Sequence, residues 1–135
     1  MGLFGLYAWA KRWIQQLVLG HQLLKAPSTR STLSTVEDFE DALDLLLGKY
    51  VDGQGQVNYE ALLQGEGASQ LGQIVRFIAD SSPAAQPHIY NTTEKQLAYY
   101  CNAYNALVLW GVVQKWPLSS VRECKVWVGF RYTTL

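Results

Sequence analysis

The chain has 135 residues, of which 49% are hydrophobic, 13% aromatic and 16% charged, against about 25% charged in an ordinary soluble domain. This composition excludes intrinsic disorder. The length allows one domain with a real core plus an appendage, because two independent domains would each be marginal. Lys and Arg together number 11, as do Asp and Glu, so no overall field attracts nucleic acid, and the sequence holds no nucleic-acid-binding motif.

The balanced charge is segregated along the chain. Residues 1–30 carry four basic residues and no acidic one, residues 31–80 carry nine acidic against two basic, and residues 81–135 carry five basic against two acidic. The basic N-terminus can therefore lie against the acidic middle, or it can meet anionic lipid or a partner. Two cysteines are too few for a disulfide framework or a structural zinc site. We therefore expect reduced thiols, a cytoplasmic location and no cofactor or metal.

Residues 1–25 have the pattern of an amphipathic helix, with Lys11 and Arg12 opposite an apolar face. A basic pair in the middle of the stretch argues against a membrane-spanning helix, and its position after the first apolar residues argues against a signal peptide. We expect a helix that lies on an anionic membrane, docks on a protein partner or packs on its own domain. Residues 1–30 then form this helix and a linker, and residues 31–135 form the domain. The apolar positions are Leu3, Phe4, Leu6, Tyr7, Ala10, Trp13, Ile14, Leu17 and Val18.

The acidic middle predicts two surface helices. A capping box at Ser34-Thr35-Val36-Glu37 opens the first, which runs for about four turns to Tyr50. Residues 51–59 then predict a turn between two short extended pieces. This turn resembles the centre of an EF-hand loop, but Tyr50 and Ala61 fall where calcium needs oxygen ligands, so we expect no calcium site. A short helical turn at residues 59–63 and an amphipathic helix at residues 70–80 follow, before a loop with two prolines.

The clearest element is a helix of about 22 residues between Glu94 and Lys115, which is capped by residues 91–94 and ended by Pro117. It is apolar on nearly all sides, which indicates a central, buried helix. Asn102 and Asn105 would then need partners, because a buried amide left unpaired costs about 1–3 kcal/mol. We expect both to bind backbone groups of neighbouring loops.

Four segments of the chain resemble the DUF547 domain, a family of uncharacterised function, over about residues 40–135. They are Leu46–Val51 running into Val57–Tyr59, Gln96–Leu107, Trp116–Val121 and Gly129–Tyr132. Family members continue through a Leu-x-x-Ile-Glu-His helix and later segments with His and Ser-Cys-Pro, so the resemblance covers the front part of that domain. Tyr100 and Cys101 stand where the family usually has Trp and an aliphatic residue. The resemblance implies structural roles for Asn102, Ala103, Tyr104, Asn105, Ala106, Pro117, Phe130, Arg131 and Tyr132.

A thiol-dependent site would need a thiolate, a base and an orienting group held together. The available residues are Cys101, Cys124, His21 and His88, and no motif brings two of them together. We expect Cys101 to be a core residue, His88 to be a solvated loop side chain, and the carboxylates of the first acidic helix to face solvent. The sequence therefore predicts no catalytic residue.

Residues 126–132 alternate between apolar and other positions, which predicts a short strand that must pair to be stable. The expected fold is α+β and mainly helical, with the N-terminal helix, two surface helices, the long buried helix and this strand. The function that we favour is a non-catalytic interaction or membrane-peripheral module that meets an anionic membrane or a protein through residues 1–25. The alternative is a fragment of a thiol-dependent, hydrolase-like enzyme whose C-terminal catalytic segments are missing.

Overall fold

The computed structural model describes Pro27 and residues 30–115. This part of the chain forms four helices, which are α1 (Val36–Tyr50), α2 (Tyr59–Gln64), α3 (Gly67–Asp80) and α4 (Thr93–Lys115). The mainly helical class is therefore confirmed. The predicted N-terminal helix in residues 1–25 and the predicted strand in residues 126–132 lie outside the described residues.

The N-cap of helix α1 lies one residue later than predicted. Thr35 is the N-cap, its side chain accepts a hydrogen bond from the Asp38 amide, and the Asp38 carboxylate accepts one from the Thr35 amide. The predicted pairing of Ser34 with Glu37 is therefore wrong. Ser34 instead bonds the same Asp38 carboxylate through both its amide and its hydroxyl. The box satisfies backbone donors that the first turn of a helix leaves without intrahelical partners.

The predicted turn between α1 and α2 is confirmed. Val51 and Val57 form an antiparallel bridge, and the Asp52 carboxylate accepts hydrogen bonds from the amides of Gln54 and Gln56, each at 2.9 Å. Gly55 has a φ of +80°, a conformation that glycine adopts without steric cost. Asp52 is therefore a turn-forming residue whose carboxylate binds its own loop.

Helix α3 lies at the centre of the described part of the chain. It begins three residues before its predicted start and packs against each of the other three helices. Phe77 stacks on Phe39 of α1 with ring centroids 5.0 Å apart, and the buried face continues through Leu71, Ile74 and Ile78. This helix was predicted to lie at the surface. It forms the middle of the core instead, because the other three described helices pack against it.

Helix α4 begins at Thr93, one residue before its predicted start, and is helical up to Lys115, the last described residue, but it is not buried all round. Tyr99, Ala103 and Ala106 face the core, whereas Asn102 is half-buried and Asn105 is exposed. Within the described residues, neither amide side chain makes a hydrogen bond. The expectation of two buried asparagines is therefore wrong for Asn105 and only half met for Asn102, because an apolar composition does not show which side of a helix is covered.

The segment that precedes α1 is bonded to α3. Ser31 Oγ donates to the Gln73 carbonyl at 2.9 Å, and the Thr32 amide donates to Gln73 Oε1 at 2.7 Å. Arg76 Nη1 donates to the Pro27 carbonyl at 3.3 Å. The predicted linker is thus attached to the domain from Pro27 onward.

Candidate functional site

A groove of about 820 Å³ opens where four parts of the chain meet. These parts are the segment before α1, the first turns of α1, the end of α3 and the loop that leads into α4. Four apolar side chains, from Leu33, Val36, Phe77 and Ile89, contribute to its walls. The remaining lining is polar or charged, so the groove combines an apolar surface with groups that can fix the orientation of a ligand.

The floor of the groove is a network of buried hydroxyl groups. Ser81 Oγ donates to Gln86 Oε1 at 2.6 Å and lies 2.8 Å from the Tyr90 hydroxyl, which therefore acts as the donor between the two. Tyr99 lies behind them, where its hydroxyl donates to the carbonyls of Ser81 at 2.8 Å and Ile78 at 3.2 Å. Ser81 is 7% exposed and Tyr90 is 1% exposed. Each hydroxyl has a partner, so the network is a rigid support.

The sequence explains why this floor forms where it does. Helix α3 ends at Asp80, and the Ser81 amide caps it by donating to the Phe77 carbonyl. The proline-containing loop that follows turns back, so that the Tyr90 ring packs edge-on against Tyr99 with centroids 5.0 Å apart. Gln96 Nε2 then donates to the Tyr90 carbonyl at 3.0 Å and ties the loop to the first turn of α4.

Burial decides the acid–base behaviour of these hydroxyls. Desolvation raises the pKa of Tyr99, and to a smaller extent the negative charge of ionised neighbouring tyrosines raises it too. Desolvation also raises the pKa of Tyr90, against the effect of the Ser81 hydrogen bond and with a contribution from the Glu40 carboxylate. Both phenols are therefore neutral near pH 7. They act as hydrogen-bond donors and not as bases.

Charged side chains surround this neutral floor. Glu37, Glu40, Arg30 and Lys95 line the groove, and none of them forms a salt bridge with another described residue. Asp80 also lines it, but its carboxylate is paired with Arg76 at 2.8 Å. Glu40 is half-buried and lies close enough to Tyr90 to act on its hydroxyl. The groove therefore presents both carboxylates and cationic groups, of which Lys95 donates to Asn91 Oδ1 at 3.3 Å.

The structure does not bring the residues of the DUF547-like motif into this groove. Ala103 and Ala106 are fully buried, as expected for packing positions, and Tyr104 is half-buried with a pKa raised to about 12 by desolvation. Asn102 and Asn105 lie toward the outer side of α4. Pro117, Phe130, Arg131 and Tyr132 lie outside the described residues.

Cys101 and His88, the thiol and imidazole groups that the structure describes, are separate from the groove as well. Cys101 is a free cysteine, and it is half-buried where a core position was expected. No hydrogen bond joins its thiol to a described residue. His88 is exposed, as predicted, and so are Glu37, Asp38 and Asp41. His21 and Cys124 lie outside the described residues.

Two further properties concern the same part of the chain. Between residues 30 and 115, no three His, Cys, Asp or Glu side chains cluster as a metal site requires. None of the helices that the structure describes is long and apolar enough to cross a membrane.

Sequence reasoning missed the residues that build the groove. The segment that contains Ser81, Gln86 and Tyr90 is recognisable in the sequence only as a proline-containing loop. Glu40 belongs to a helix whose sequence pattern predicts an acidic, solvated surface. The signal that was available is Tyr90 itself, since tyrosine buries a large ring when its hydroxyl finds a hydrogen-bond partner. Comparison of the chain with protein-family models, with curated proteins and with solved structures gave no match.

Proposed function

We propose that this chain is a non-catalytic interaction module of the DUF547-like type, and that the groove is its binding surface. The observation that carries the proposal is Glu40, a half-buried carboxylate that lines the groove and has no salt-bridge partner among the described residues. A bound cationic group would form a charge-assisted hydrogen bond with this carboxylate. The rigid floor beneath it means that little ordering is needed on binding.

The charge of the described part favours a basic partner. Residues 30–115 contain ten acidic and five basic residues, so this part of the chain has a net negative charge. It attracts cations within the Debye length, which shortens as the salt concentration rises. A Lys or Arg side chain could place its charged end at Glu40 and its methylene stem on Val36 and Ile89. The partner class that we propose is a protein segment in which basic and apolar side chains alternate.

Titration of the isotope-labelled full chain by NMR spectroscopy tests this proposal. The probes are acetyl-Leu-Arg-Leu-amide and its charge-reversed counterpart acetyl-Leu-Glu-Leu-amide. The Arg peptide should shift the signals of residues 33–40 and 81–90, and Glu40→Gln should weaken its binding by about two- to fivefold, the range for a partly exposed ion pair. Glu60→Gln, an exposed position on α2 outside the groove, is the matched control. Equal shifts with both peptides, or equal binding by both variants, would refute the proposal.

We also propose a cytoplasmic location and an α+β fold that is completed by a strand at residues 126–132. A membrane-peripheral role through residues 1–25 belongs to the same proposal. Its support is the basic amphipathic pattern, since each basic residue near an anionic surface contributes on the order of 1 kcal/mol. Vesicles of phosphatidylserine and phosphatidylcholine should pellet the full chain at low salt. Replacing Lys11 and Arg12 by Gln should reduce pelleting, whereas vesicles of phosphatidylcholine alone should pellet neither protein. Equal pelleting of both proteins would contradict this role.

One observation favours the alternative, a fragment of a thiol-dependent enzyme. Cys101 is half-buried, so its thiol is more accessible than a core position would allow. Reactive thiols owe their reactivity to a depressed pKa, so labelling with iodoacetamide at pH 6 distinguishes the two functions. Slow labelling, at the rate of free cysteine, is expected for the interaction module. Rapid stoichiometric labelling that is lost in Cys101→Ser would favour the enzyme.

A further inference from the structure

The seam between α3 and α4 has a notch at Gly72 that is filled by the chain entering from the N-terminal side. A Cβ atom at Gly72 would stand 3.2 Å from Cγ of Pro27 and 3.8 Å from two ring carbons of Trp110. The Pro27 ring therefore packs where a side chain of α3 would otherwise lie. Glycine at this position lets the entering chain reach the backbone of α3, beside the Trp110 ring of α4.

The entering chain is held there by hydrogen bonds as well as by packing. Arg76 donates to the Pro27 carbonyl, and Arg76 is itself fixed by two hydrogen bonds to the Asp80 carboxylate. Ser31 and Thr32 bond Gln73 a few residues later. Residue 27 is thus placed over the middle of α3, and in the sequence only Ala26 separates it from residues 1–25.

We propose that the seam beside Gly72 is the docking surface for the apolar face of residues 1–25 of this same chain. Beyond Gly72 the seam continues with Ala68 on α3 and Val113 on α4, both partly buried apolar residues. A helix over residues 3–18 would be about 24 Å long at 1.5 Å per residue, against about 21 Å for α3 and about 35 Å for α4, so its length is similar to that of the helices that form the seam. The tether favours this occupant over any free partner, because it holds the segment at a high effective concentration.

Docking and membrane contact would use the same apolar face, so they exclude each other. The membrane-peripheral role proposed above then requires that the seam contact be released first. Pro27, Gly72 and Trp110 do not line the groove, although Asp80, which fixes Arg76, does. Peptide binding in the groove and release of residues 1–25 are therefore measured separately.

Limited trypsin digestion of the full chain tests the docking, with cleavage after Lys11 and Arg12 followed by mass spectrometry. These bonds should be protected in the parent relative to a synthetic peptide of residues 1–25. Gly72→Leu should raise the cleavage rate by about tenfold or more, because proteolysis follows the population of the open form. Gly48→Leu is the matched control, since it is also a helical glycine but nothing lies within 4 Å of the added Cβ.

A second variant covers the case in which Gly72→Leu disrupts the core. Pro27→Ala removes the ring carbon that contacts Gly72 and leaves α3 unchanged, so it should also accelerate cleavage, and it should increase pelleting with phosphatidylserine vesicles. Parent cleavage as fast as that of the synthetic peptide would overturn the proposal. So would protection that Pro27→Ala leaves unchanged, because the segment would then be docked on another partner or surface.

Discussion

The hydroxyl group of Tyr99 links the two helices that form most of the core, and its removal has a predictable cost. The side chain is 2% exposed, and the hydroxyl donates to carbonyls at the C-terminal end of α3, the nearer being that of Ser81 at 2.8 Å. Carbonyls in the last turn of a helix have no intrahelical donor. Tyr99→Phe keeps the ring but leaves the Ser81 carbonyl without this donor, so it should lower the free energy of unfolding by about 1–3 kcal/mol.

Urea denaturation at pH 7 measures this loss, with an unchanged m-value as the sign that the folded state is otherwise intact. Tyr50→Phe is the control, because Tyr50 is also buried, at 5% exposure, but its hydroxyl bonds no residue in the described part of the chain. Its free energy of unfolding should change by less than about 0.5 kcal/mol. Equal losses in the two variants, or an unchanged midpoint for Tyr99→Phe, would refute the account of the core given above.

Three further predictions follow from single side chains. Hydrogen bonds from Ser34, and to a smaller extent from Thr35, lower the pKa of Asp38 below 3.8 in the folded state. The carboxylate therefore stabilises the fold above that pH, and this contribution is lost as the pH falls through the lowered pKa of the folded state. Asp38→Asn should therefore lower the urea midpoint at pH 7, with a difference from the parent that shrinks below pH 3.8; a constant difference would contradict this. Asn105→Ala and Asn102→Ala should each change the free energy of unfolding by less than about 0.5 kcal/mol in the same assay. A loss of about 1–3 kcal/mol, the cost of leaving a buried polar group unpaired, would instead indicate buried partners. Calorimetric titration with calcium should show no saturable binding, since the Asp52 carboxylate bonds its own loop, and a one-site isotherm abolished by Asp52→Ala would exclude this interpretation.

The helices could be predicted because their signals are local. The end of α1 at Tyr50 and the start of α4 at Thr93 follow from apolar spacing and from caps within a few residues. The cap of α1 shows the limit of such signals. Ser34 with Glu37 and Thr35 with Asp38 are two overlapping boxes of the same chemistry, and only the folded chain shows that the second one forms. Either choice places the helix within one residue.

The faces of the helices could not be predicted in the same way, because coverage depends on distant parts of the chain. An apolar composition all around α4 does not show that Asn105 is on the open side, and an amphipathic stripe on α3 does not show that three helices pack on it. The groove is a stronger example, since Arg30, Glu40 and Lys95 come together from positions far apart in the sequence. Each of these residues, taken alone, has the pattern of a solvated side chain.

The segment before α1 shows how much function can depend on a feature that composition hides. Small and polar residues around Pro27 indicate a linker. A flexible linker would allow the predicted N-terminal helix to bind either lipid or protein. Hydrogen bonds from Ser31 and Thr32 to Gln73, and from Arg76 to Pro27, instead hold this segment against α3. If residues 1–25 dock at the seam as proposed, the contact at Gly72 controls the competition between the domain's own surface and an anionic membrane, and one added side chain there should shift the balance toward the membrane.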